Sequence, residues 1–93
     1  MVKIDHYTRK KIQVRYMTNE EAKQLKRGDV IKVVSVFDTV INVKVNGNIK
    51  RWKRTPLKLQ IPIKYGLYEY GYITFIDDGN LSVTSIVPVV EVN

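Results

Sequence analysis

The sequence predicts a single small, mainly β domain, an antiparallel β-barrel with one short helix near residues 19–27. Three observations lead there. Segments with an apolar residue at every second position recur along the chain, as in "KIQVRY" (11–16) and "LKLQIPIKY" (57–65), and this period marks strands with one dry face. A capping signal followed by helical spacing occurs once, between Thr18 and Gly28. A chain of 93 residues has room for one thin hydrophobic core and no second domain, so residues 1–93 form one unit.

The elements follow in order. "MVKIDHYTRKK" has no apolar signal-peptide core, and no run approaches the 18 or so apolar residues of a membrane span, so a soluble, intracellular, cytoplasmic protein with a mobile N-terminus is expected. Ile12, Val14 and Tyr16 alternate with Gln13 and Arg15 in the first strand. Thr18 and Glu21 then form a capping box, in which the hydroxyl accepts from the N3 amide and the carboxylate from the N-cap amide. Ala22 and Leu25 face the sheet over residues 19–27, Lys26 and Arg27 suit the helix C-terminus, and Gly28 supplies a left-handed C′ residue. "GDVIKVVSVFD" (28–38) is an almost continuous apolar strand, as expected when both faces are covered.

Asn46-Gly47, between "VINVKV" and "NIKRWKR", predicts a type I′ hairpin. Pro62 cannot donate to a ladder and so predicts a sheet edge or a bulge in the strand that carries Leu57, Leu59, Ile61 and Ile63. "LYEYGYITFI", a turn at "DDGN" and "LSVTSIVPVV" complete the chain as a second hairpin and a tail.

Charge narrows the function. Residues 1–64 hold all 16 lysines and arginines against five acids, net +11, whereas residues 65–93 hold four acids and no base, net −4. Such segregation points to a polyanion, and to nucleic acid, DNA or RNA, before a membrane, because no amphipathic helix accompanies it. Trp52, the sole tryptophan, stands between Lys50, Arg51, Lys53 and Arg54. In a regular strand Ile49 and Trp52 point to opposite faces. A two-residue turn sets Ile41 opposite Trp52 and buries the indole with Lys50. A three-residue loop with a glycine bulge sets Val45 opposite Ile49 and gathers Asn42, Lys44, Lys50, Trp52 and Arg54 outward. The outward arrangement suits nucleic acid, since cations neutralise phosphates and an indole stacks on any base.

Tyr68, Tyr70 and Tyr72 alternate on one face of "YEYGYITF", with Ile73 and Phe75 on the other. "YGYITF" (70–75) resembles the aromatic ribonucleoprotein motif of RNA recognition motifs and cold-shock domains, and "ITFIDDGNLSV" is similar to the cold-shock strand, turn and strand. That resemblance implies base stacking by Tyr70 and Tyr72, although Tyr68 and Glu69 replace the basic residue and glycine that usually open the motif. "LKRGDVIKVV" (25–34) resembles the opening of KOW, Tudor and PUA-like barrels, without the glycine that follows the KOW strand. It implies a barrel of Src-homology-like or OB-like class.

No cysteine is present, His6 is the only histidine, and no phosphate loop, nucleophile elbow, zinc spacing or catalytic carboxylate pair occurs. Asp77-Asp78-Gly79-Asn80 is the composition of an ordinary turn rather than of metal ligands. The expectation is therefore a nucleic-acid-binding protein, not an enzyme, with no cofactor and no metal. Lys44, Lys50, Arg51, Lys53, Arg54, Lys58 and Lys64 would meet phosphates, and Trp52, Tyr68, Tyr70 and Tyr72 bases or sugars. The competing expectation is a protein-interaction module, or a homodimeric accessory protein of a virus or mobile element, joined through the edge near Pro62 or the apolar tail "IVPVVEV".

Overall fold

The computed structural model describes residues 1–55, 57–77 and 86–93. The elements are β1 (Val2–Asp5), β2 (Lys11–Tyr16), α1 (Asn19–Lys23), β3 (Val30–Val34), β4 (Thr39–Val45), β5 (Lys50–Arg51), β6 (Lys58–Lys64), β7 (Tyr70–Ile76) and β8 (Val87–Glu91). The fold is mainly β, with a closed five-strand barrel and one short helix, as the sequence predicts. Neighbours in the ring run β1, β2, β8, β3, β4 and back to β1, where the parallel pairs Ile4↔Thr39 and Asp5↔Val40 close it. Closure leaves these strands few open edges. The strand β6 leaves the ring from β4 through Lys44↔Lys64 and Val45↔Ile63, and carries β5 and β7 with it.

Both termini differ from expectation. Instead of a mobile end, residues 2–5 form β1, Met1 nitrogen donates to the Val14 carbonyl at 2.8 Å, and the His6 amide donates to the Val40 carbonyl at 2.9 Å. Pairing with β2 on one side and β4 on the other outweighs the entropy of a free end. The supposed tail is β8, paired to β2 at Val14↔Glu91 and to β3 at Lys32↔Val89. With both edges occupied, residues 87–91 have no edge to lend to strand addition. The expected turn at 77–80 and the start of the strand after it fall mainly on residues 78–85, which lie outside the described residues.

The helix is shorter than expected. Its capping box is formed as predicted: the Glu21 amide donates to Thr18 Oγ1 and the Thr18 amide to Glu21 Oε1, both at 3.1 Å. It ends at Lys23, however, because residues 26–29 are drawn into a turn in which the Asp29 carboxylate accepts from the Lys26 amide at 3.0 Å. Gly28 does adopt a positive φ of 98°, but it does so in this turn, donating to the Val45 carbonyl at 2.9 Å. The Asp29 amide also closes on the Lys26 carbonyl at 3.1 Å.

Arg15 grips Glu21 with two bonds of 2.6 and 2.9 Å, and this pair, aided by the Thr18 amide, lowers the Glu21 carboxyl from about 4.5 to about 2. A carboxyl lowered on folding contributes stability above its unfolded pKa and loses it as pH falls through the folded one. The stability difference between the native protein and Glu21→Gln is thus expected to be constant at neutral pH and to shrink from about pH 4.5 toward pH 2. Urea unfolding of the two proteins across that range measures it. Both side chains remain more than a third exposed, where solvent screens the pair, so the difference is small.

The strand expected over 28–38 stops at Val34 and turns back through Ser35–Asp38, with Asp38 at φ 61° and the Ser35 amide bonded to the Thr39 carbonyl at 2.8 Å. The expectation of two covered faces holds only in part, since Val30, Val36 and Phe37 are exposed. Val34 and Val40 pack with Ile12, Val14 and Val89, from four strands of the ring. Ile31, Val33, Val43 and Val45 lie on the other face, in a larger core with Met17, Ala22, Leu59, Ile61, Ile63, Ile73 and Phe75.

Asn46-Gly47 makes no hairpin. Neither residue has a positive φ, and β5 pairs with β6, not with β4. Between Val45↔Ile63 and Lys50↔Gln60 the four residues 46–49 stand opposite 61 and 62, so β4 and β5 run the same way along β6 around a wide bulge. The reason is burial: "NIKRWKR" presents one aliphatic side chain, Ile49, whereas β6 presents Leu59, Ile61 and Ile63 on one face, all buried. The same bulge accommodates Pro62. Its carbonyl accepts from the Asn46 amide at 2.8 Å, so its missing N–H points at the irregular segment and no ladder bond to β7 is lost. Gly47 lies over the Pro62 ring, where an added Cβ would come within 3.1 Å of Cγ. Among the described residues no helix is long and apolar enough to cross a membrane.

Candidate nucleic-acid interface

Strand parity assigns the faces of the β5, β6, β7 sheet. Leu59, Ile61, Ile63, Ile73 and Phe75 turn to the core, so the alternate residues Lys58, Gln60, Pro62, Lys64, Tyr70, Tyr72, Thr74 and Ile76 turn outward. Lys50 stands opposite Gln60 on that outer face. Trp52, whose amide donates to the Lys58 carbonyl at 3.4 Å, stands beside Lys58. Neither predicted hairpin register forms, yet the outward placement of Lys44, Lys50 and Trp52 holds, because a bulge of four residues preserves the alternation of even and odd positions.

The result is a sheet face of rings and ammonium groups. Trp52, Tyr70 and Tyr72 are 45%, 57% and 48% exposed. Each lies under a lysine: Lys58 Nζ of β6 is 4.6 Å from the Trp52 centroid, Lys64 Nζ of β6 is 5.7 Å from Tyr70, and Lys50 Nζ reaches from β5 across β6 to 5.5 Å from Tyr72. Lys44, exposed and opposite Lys64, extends the basic surface to β4. Among the described residues of these three strands no acid points outward.

Gln60 is the member of this face that sequence reasoning missed. Its Oε1 accepts from Trp52 Nε1 at 3.0 Å and its Nε2 donates to Thr74 Oγ1 at 3.4 Å, which orients the indole across three strands. Its place between Lys58 and Pro62 in the alternating pattern was the available signal. Gly71, opposite Ile63 on the core-facing side of the sheet, makes room for Tyr65: an added Cβ would meet Tyr65 Cε1 at 3.2 Å, and the Tyr65 amide bonds to the Glu69 carbonyl at 3.1 Å.

Other expected site residues are distributed differently. Lys53 and Arg54 are exposed in the connection between β5 and β6, beyond the end of the strand. Tyr68 is 89% exposed in the connection between β6 and β7, so it does not continue the strand face of Tyr70 and Tyr72. Arg51 belongs to the opposite side, because its partner across the ladder is the buried Leu59. There it lines a cavity of about 270 Å³ with Lys23, Ile49 and Leu59, and its guanidinium reaches Asp77 at 3.5 Å. Lys23 binds the same carboxylate at 2.9 Å and holds the Asp77 carboxyl below its usual range. Asp78, the other acid considered as a metal ligand, lies outside the described residues.

Comparison with known proteins assigns no relative. No family model, curated protein or solved structure matches the chain. The geometry of the face therefore carries the functional reading.

Proposed function

We propose that this protein, soluble and intracellular, binds nucleic acid through the outer face of β5, β6 and β7. The observation that carries the proposal is a sheet face on which three exposed rings alternate with lysines and, among the described residues of β5, β6 and β7, no acid points outward. Exposed rings contribute little to folding, but they are platforms for bases, and the surrounding cations can neutralise phosphates. Lys44, Lys50, Lys58 and Lys64 line the path, Lys53 and Arg54 extend it past Trp52, and Tyr68 rims the opposite end. The resemblance of "YGYITF" to an aromatic ribonucleoprotein motif agrees with this use of Tyr70 and Tyr72.

Phosphate contact has a thermodynamic signature. Log affinity is expected to fall linearly with log salt, by about 0.7 to 0.9 per phosphate neutralised, and replacing Lys53 and Arg54 together by alanine should flatten the slope by about two such steps. Mobility shifts with single-stranded and duplex DNA and RNA at two salt concentrations measure it. Absence of binding to every one of them at low salt would overturn the proposal and favour an acidic protein as the partner.

A further inference from the structure

We infer that the occupant of this face is a single strand of nucleic acid whose bases displace Lys58, Lys50 and Lys64 from the rings of Trp52, Tyr72 and Tyr70, freeing those ammonium groups for the strand's own phosphates. The inference rests on the nucleic-acid reading above and deepens it.

The rings decide between single strand and duplex. Within a duplex both faces of an internal base are covered by its neighbours, so a protein that grips duplex phosphates has no use for an exposed indole and two exposed phenols. A single strand has free base faces. Spacing agrees. Trp52 and Tyr72 stand two strands and four ladder positions apart, roughly 16 Å, and Tyr70 and Tyr72 roughly 7 Å. A stacked strand advances about 3.4 Å per nucleotide, so platforms this far apart engage bases lifted out of such a stack.

The lysines set the order of events. Each ring has an ammonium within 4.6 to 5.7 Å of its centroid. An exposed cation–π contact is weaker than a base stacked on an aromatic side chain, so exchange runs toward the base. The released ammonium gains a phosphate, which adds counterion release to the stack. Trp52 stays in place during the exchange because Gln60, not Lys58, holds its Nε1 at 3.0 Å. Stacking and charge neutralisation are thereby coupled one ring at a time.

Trp52 is the only tryptophan, so its emission reports this exchange directly. The probes are oligodeoxyuridylate and oligouridylate of about 12 nucleotides, which differ only in the sugar, and a duplex of about 12 base pairs, long enough to fill a sheet-face site. Either oligomer is expected to quench Trp52 and shield it from acrylamide, the tighter one naming the preferred sugar, while the duplex leaves the emission unchanged. Lys58→Met should raise the ring's accessibility to acrylamide in the free protein above its native level and lower the single-strand salt slope by about 0.7. Lys58→Arg should keep the native slope, with circular dichroism showing both variants folded. Duplex binding as tight as single-strand binding, with an unresponsive Trp52, would overturn the inference and leave the nucleic-acid reading standing. An unchanged slope and unchanged quenching in Lys58→Met would overturn the exchange. No binding by any probe at low salt removes both.

Discussion

Phe75→Ala is expected to cost about 3 to 5 kcal/mol of folding stability. The ring is fully buried on β7, directly across the ladder from Leu59, in the core that joins β6 and β7 to the barrel strands β3 and β4. Truncation removes the largest fully buried side chain among the described residues and leaves a cavity that strands paired to their neighbours close incompletely. A domain of this length has a total stability of about 5 to 14 kcal/mol, so one substitution consumes much of it. Urea unfolding measures the loss. Tyr72→Leu, on the outer face of the same strand, provides the contrast, with a change within about 1 kcal/mol. Equal stability of Phe75→Ala and the native protein would mean that β7 does not dock on this core.

The second large effect falls on binding. Trp52→Ala should weaken nucleic-acid affinity by about 1 to 3 kcal/mol, because an exposed stacking platform is lost. Stability should change little, since the indole is 45% exposed and its one side-chain hydrogen bond, to Gln60, lies at the surface. Titration with nucleic acid and chemical denaturation of the same variant separate the two quantities. A red-shifted native emission accessible to iodide accompanies this arrangement. A protected emission, with large loss of stability and intact binding, would instead make Trp52 a structural anchor.

The two substitutions differ by parity alone. Tyr70 and Tyr72 face solvent and Ile73 and Phe75 face the core, and this division was legible in "YGYITF" because a strand alternates its side chains whatever its partner. The capping box at Thr18 and Glu21 was legible for a similar reason, being closed within four residues. Where the helix ends was not, because Asp29 and the Val45 carbonyl, distant in sequence or in role, capture the turn that follows it.

Strand partners were the least accessible part. Asn46-Gly47 carries a strong local preference for a hairpin, yet β4 and β5 lie in line along β6, where Val43, Val45 and Ile49 reach a core that also contains Leu59, Ile61 and Ile63. The ends of the chain taught the same lesson. Val2–Asp5 and Val87–Glu91 are too short to announce themselves, and they become strands because the barrel offers each of them two neighbours.

Arg51 shows the limit from the side of the site. Its neighbours Lys50 and Trp52 belong to the candidate interface, whereas it turns toward Asp77 and Lys23 beneath the sheet. Charge counts along the chain could not separate them. Alternating polarity, the segregation of charge and the capping motif are local properties, and the sequence by itself determined from them a mainly β domain with a basic, aromatic surface. Which strands pair, where the bulge falls and which lysine covers which ring depend on contacts between segments far apart in the chain. Only the tertiary structure decided those, because burying the apolar faces of β3, β4, β6 and β7 together outweighs the turn preference of any single dipeptide.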